Sequence, residues 1–124
     1  MDTLNKLREI LLAVFVLENI EQIQPEASLV NDIGADSLDF VEIVYSIEKN
    51  FGVKIRTSEL IGGNEEDLFK DGLLSEAGFT KICTIFPHAE QRFRAGMNKP
   101  EIFSQLKVSD LAVIIDIKLK EKNS

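Results

Sequence analysis

Chemistry in this chain centres on Ser37, in the stretch Ile33-Gly34-Ala35-Asp36-Ser37-Leu38-Asp39. Gly34 permits a sharp turn at low steric cost. The spacing beyond it places Ser37 in the first turn of an acidic, amphipathic helix that runs to Lys49. A serine so placed presents an exposed hydroxyl beside a helix end whose N–H groups and dipole favour an anion. That environment suits a serine that carries a phosphate-linked group. Hydrolysis by the same serine would need a base and an oxyanion hole. The sole histidine, His88, follows Pro87 in a stretch that reads as a loop, and there is no Gly-x-Ser-x-Gly elbow. Asn31, Asp32, Asp36 and Asp39 cluster oxygen donors. A calcium loop needs donors at alternate positions and a distal bidentate glutamate, so this spacing fails.

The elements that position Ser37 follow from hydrophobic spacing. Asp36 is the expected N-cap of the serine's helix. Leu38, Val41, Val44 or Tyr45, and Ile47 or Glu48 recur at helical intervals, with Phe40, Ile43 and Phe51 available for packing. Asp39 and Glu42 fall on the solvent side near Ser37, and Gly52 closes the helix. Upstream, Leu4, Leu7, Leu11 and Val14 predict a first helix over 3–18, with Asp2 or Thr3 as its cap. Pro25 and Ser28 then interrupt it, while Leu29, Val30 and Ile33 pin the loop to the core.

Downstream the pattern breaks into short helical pieces. They are expected over 57–60, over 65–69 before Gly72, after Ser75 with Phe79, Ile82, Cys83 and Phe86 as the apolar stripe, and around Pro100 with Ile102, Phe103 and Leu106 turned inward. A last helix over 108–120 carries Val108, Leu111, Ala112, Ile115 and Leu119 on one face and Lys118, Lys120 and Lys122 near its C-terminus. Every element reads as helical, so the expected class is all-α.

With 124 residues, 44% hydrophobic and 28% charged, the chain is long enough for one modest core. A net charge of −7 argues against nucleic acid and for partners with basic patches. Cys83 stands alone among apolar neighbours and is read as a buried, inert thiol. No apolar run is of membrane-spanning length. The start Met1-Asp2-Thr3 has no secretory pattern, so a cytoplasmic location is expected.

The stretch over 30–55 resembles the modification-site region of acyl carrier proteins. The resemblance is carried by Asp32-Ile33-Gly34-Ala35-Asp36-Ser37-Leu38, the acidic helix, and Glu48-Lys49-Asn50-Phe51-Gly52-Val53-Lys54-Ile55. Val108-Ser109-Asp110-Leu111-Ala112 resembles the start of that family's closing helix. The resemblance implies one carrier domain over 1–124: a bundle of three long helices, with an atypical insertion of short helices at about 56–106. It implies that a phosphopantetheinyl transferase esterifies Ser37 with 4′-phosphopantetheine from coenzyme A, and that the arm's thiol carries acyl thioesters for fatty acid or specialised lipid synthesis. The protein would be a monomeric carrier and not an enzyme. Asp36, Leu38, Asp39, Glu42 and Glu48 would meet the basic docking surfaces of enzymes that load, elongate and transfer the cargo. Leu7, Leu11, Val41, Val44, Ile47, Ile55, Leu111 and Ile115 are the acyl-pocket candidates, each also readable as plain core. Phe40 and the insertion point towards bacterial carriers of very-long-chain acyl groups for lipid A. The alternatives are a peptidyl, aryl or polyketide carrier, or a binding module of the same fold without the arm.

Overall fold

The computed structural model describes residues 2–122; Met1, named above, lies outside them. Helix α1 spans Thr3–Val14, and the Asp2 carboxylate caps it by accepting from the N–H of Leu4 at 3.0 Å. It stops short of residue 18 because Val16 adopts a left-handed backbone, φ 52°, that no α-helix can propagate. Helix α2 spans Ser37–Phe51, and left-handed Gly52, φ 71°, returns its N–H to the Glu48 carbonyl at 2.9 Å. Two stretches of short elements follow before the closing long helix.

Helix α3 is one turn, Glu65–Leu68, and gives way to strands β1, Phe69–Lys70, and β2, Leu73–Leu74, which pair antiparallel. The helical turn expected over 65–69 forms at 65–68, and the hairpin that follows corrects the expectation that every element is helical. Asp71 and Gly72 both take positive φ, 55° and 80°. Two such residues in succession make the turn that matches strand twist, and Asp-Gly is a preferred pair for it. Helix α4 follows at Glu76–Ile85, capped by Ser75, and α5 at Lys99–Ser104, capped by Asn98. Cys83 on α4 is half-buried rather than fully enclosed. Helix α6, Val108–Lys122, closes the fold, and its β-branched middle is helical as expected.

The long helices α1, α2 and α6 pack on one another. Leu7 and Leu11, Ile43 and Ile47, and Leu111 and Ile115 meet fully buried between them. Each such side chain contributes about 1.5–3 kcal/mol on burial. A 3-10 turn at Thr57–Ile61 wedges Leu60 and Ile61 against α2 and α6. At its edge Glu59 is ion-paired with Lys118. Burial raises the Glu59 carboxyl, but the hydrogen bonds from Lys118 and the Arg56 N–H outweigh it and hold it below the ordinary range.

The short elements form a second layer whose apolar residues, among them Leu68, Ile82, Phe86, Phe93 and Ile102, join the same core. A bidentate pair latches this layer to α6: Arg92 donates to Asp110 at 2.6 and 3.0 Å, and both side chains are largely buried. Arg92 also donates to the Gln105 carbonyl, and Asp110 accepts from the Lys107 N–H, so the remaining polar atoms are satisfied. No helix among the described residues is long and apolar enough to cross a membrane.

Candidate functional site

The approach to Ser37 is a wide helical turn, Leu29–Ile33, whose first N–H groups are capped by the Ser28 hydroxyl through Asn31 at 3.0 Å. Gly34 then reverses the chain with φ 91°, and the Ala35 N–H closes the loop on the Leu29 carbonyl at 2.8 Å. Asp36 is extended and begins α2 with a reciprocal cap. Its carboxylate accepts from the Asp39 N–H at 2.9 Å, and the Asp39 carboxylate accepts from the Asp36 N–H at 3.0 Å. The expected capping role of Asp36 is met. Asp39, expected to face solvent freely, is half-buried and spends one oxygen on the cap.

Ser37 is exposed at the first position of α2. Glu42 and Glu48 are exposed on the same helix. Leu38 is 78% exposed, and Val41 and Tyr45 are 59% and 62% exposed. Val41 therefore cannot line an interior pocket. The sequence has two apolar stripes on α2, and only the one through Phe40, Ile43, Ile47 and Phe51 turns inward. Val44 is half-buried, while Leu7, Leu11, Ile47, Ile55, Leu111 and Ile115 are all buried in the core.

None of those pocket candidates lines the hollow that Ser37 borders. That hollow is an open groove of about 360 Å³ between α2 and α5. Its walls are Ala35 and Phe40 on one side and Pro100 and Phe103 on the other, with Lys99 contributing the cation. The Phe40 and Phe103 rings meet at 4.9 Å, tilted by 59°. Sequence reasoning placed Phe103 inward but not beside Ser37. The signal that brings them together is non-local: the Ser28 hydroxyl donates to the Ser104 carbonyl at 2.8 Å, and the Leu29 N–H to the Leu106 carbonyl at 3.1 Å. His88 borders a different hollow, with Arg92 and Asp110, so the serine has no imidazole beside it there.

An exposed hydroxyl, a helix N-terminus, an apolar groove and one lysine fit a group that is anionic where attached and less polar beyond. The family described as the phosphopantetheine attachment site matches residues 5–65. An acyl carrier protein of Rhizobium meliloti (strain 1021), named AcpXL, is 54% identical over 35 residues, 28% of this chain and 37% of that one. An AcpXL of Mesorhizobium japonicum is 49% identical over 37 residues, covering 30% and 40% of the two chains. An acyl carrier protein of Nitratidesulfovibrio vulgaris (strain DP4) is 54% identical over 35 residues, 28% of this chain and 46% of that one. Over these residues the chain is similar to acyl carrier proteins. The aligned stretch spans less than half of each of these curated relatives. No solved structure matches the chain. The matched region ends at residue 65, just beyond the turn Thr57–Ile61. The group that the family carries is 4′-phosphopantetheine, and the geometry around Ser37 accommodates it.

Proposed function

We propose that Ser37 is the attachment point of the 4′-phosphopantetheine arm and that the whole chain, 1–124, is one carrier domain holding acyl groups as thioesters. The observation that carries this reading is the exposed Ser37 hydroxyl at the tip of α2, inside the matched attachment region. When bound, the arm supplies a terminal thiol. The chain's own residues do the rest. The Asp36–Asp39 cap holds Ser37 at the helix tip, and Gly34 lets the preceding loop turn clear of it. The exposed Leu38 offers transferase and acyl-handling enzymes an apolar contact, flanked by the carboxylates of Asp36, Asp39, Glu42 and Glu48. Those enzymes would present basic surfaces, drawn in by the −7 net charge. The protein acts as a carrier in the cytoplasm, the catalysis belonging to its partners.

Incubation with coenzyme A, magnesium and a phosphopantetheinyl transferase tests the assignment. A phosphopantetheine-sized mass gain is expected, and Ser37→Ala abolishes it. No gain with several transferases would sink the proposal. The cargo we propose is the very-long-chain acyl class supplied to lipid A, supported by the resemblance and by Phe40 and the short-helix layer beside Ser37. Chromatography of acyl groups released from native protein checks this, and medium-length chains alone would count against it.

A further inference from the structure

Val16 is the most exposed large apolar side chain among the described residues, at 86%, and its backbone is left-handed at φ 52°. A β-branched residue is strained in that conformation, whereas glycine is not. The conformation itself follows from the neighbours: Phe15 and Leu17 pack against the core, and the Leu17 N–H donates to the Leu12 carbonyl at 3.0 Å. Neither the turn nor solvation calls for an isopropyl group there. We infer that Val16 is an apolar contact for the phosphopantetheinyl transferase, whose footprint runs from α2 across the α1–α2 groove to the end of α1. The inference rests on the attachment of the arm to Ser37 proposed above and extends the docking face beyond α2.

The transferase is the occupant because it must reach the Ser37 hydroxyl itself, while enzymes acting on the cargo meet a thiol at the far end of an arm. Its body therefore closes on the pole of the bundle where α2 begins. The end of α1 stands towards that pole, since α1 and α2 run antiparallel. Lys6 donates to the Asn50 carbonyl at the opposite end, and Ala13 and Val14 share a groove with Glu42. A specific interface engages about 20–30 residues a side, more than the outer face of the 15-residue α2 offers. The footprint must spill on to a neighbour, and exposed apolar groups mark which one. Leu38, Val41 and Tyr45 form a stripe on α2, and Val16 lies at the end of α1; Leu73 and Ile117 belong to the hairpin and to α6.

The groove between α1 and α2, about 360 Å³, has Ile10, Ala13 and Val14 along one wall and Glu42 and Ser46 along the other. Glu9 and Glu42 border it and Glu18 follows Val16 by two positions, all three exposed. The matching surface is thus basic with an apolar centre. Lys6, the cation of this groove, is committed to the Asn50 carbonyl and lies 4.8 Å from the centroid of the Phe51 ring.

The test measures loading of the full chain against its concentration, using a transferase that loads the wild-type chain, with mass as the readout. Val16→Gly relieves the backbone strain, so its melting temperature should equal or exceed that of the wild type. Its KM for loading should nevertheless rise about fivefold with kcat unchanged, the pattern of binding lost equally from ground and transition states. Val16→Leu should keep the wild-type KM, and Glu9→Gln should raise KM and weaken its dependence on salt. Leu73→Ala removes an exposed apolar group from the hairpin and should change neither constant. A Val16→Gly chain as stable as the wild type with an unaltered KM would overturn the contact and leave Ser37 as the attachment point. So would a rise in KM that comes only with lost helicity, since Val16 would then be structural. A wild-type chain that no transferase loads would instead remove the attachment on which the contact rests.

Discussion

At the residue scale, the cap on α2 and the turn before it hold Ser37 in place. The reciprocal Asp36–Asp39 bonds satisfy donors that the helix start leaves without partners. Asp36→Ala is expected to lower stability by about 1 kcal/mol, seen as a reduced urea midpoint. Loading of Ser37 should slow with it, because the helix tip frays. Gly34→Ala forces a side chain into φ 91°, where open space surrounds the position and only backbone strain acts. A loss of about 1–2 kcal/mol is expected there. Glu59 makes a different statement, about pH. Its folded value lies below its ordinary value of 4.5, so the ionised form is favoured by folding. That contribution is fully present above the ordinary value and is lost as pH falls through the lower folded value. Wild-type unfolding curves between pH 6 and pH 3 should therefore show more acid sensitivity than those of Glu59→Gln.

At the element scale, the layer of short helices depends on close approach. Gly78 on α4 lies so near α3 that an added Cβ would stand 2.3 Å from the Leu68 carbonyl oxygen. That oxygen already accepts from the N–H and hydroxyl of Ser75, so it cannot move freely. Gly78→Ala should cost at least about 1–3 kcal/mol, the usual range for overpacking, measurable as a fall in melting temperature. The hairpin between α3 and α4 adds a second constraint, since the Leu74 N–H donates to the Met97 carbonyl and its carbonyl accepts from the Gly96 N–H, both at 2.8 Å. The strand pair thereby aligns the segment that enters α5, and α5 carries Lys99 and Phe103 to the groove.

At the scale of the whole molecule, the Arg92–Asp110 latch joins the two layers. Removing one member leaves the other charge buried, so Arg92→Met or Asp110→Asn should each cost about 3–5 kcal/mol. Replacing both by apolar residues should cost far less than the sum, which a double-mutant cycle of unfolding free energies would measure. The sequence by itself determined the long elements and singled out the serine on which the proposed chemistry rests. Its periodicity marked α1, α2 and α6, its Asp-Ser-Leu context marked Ser37, and Asp36 and Gly52 announced the ends of α2. These signals are local: caps, glycine conformations and helical spacing act within a few residues. The hairpin turn at Asp71-Gly72 carries a local Asp-Gly signal, whereas the outward turn of Val41 and Tyr45 was decided by tertiary packing, which chooses one of two apolar stripes only when a neighbouring element is present to cover it. So was the meeting of Phe40 with Phe103, because hydrogen bonds between residues 28–31 and 104–106 join segments more than seventy positions apart that no local pattern connects.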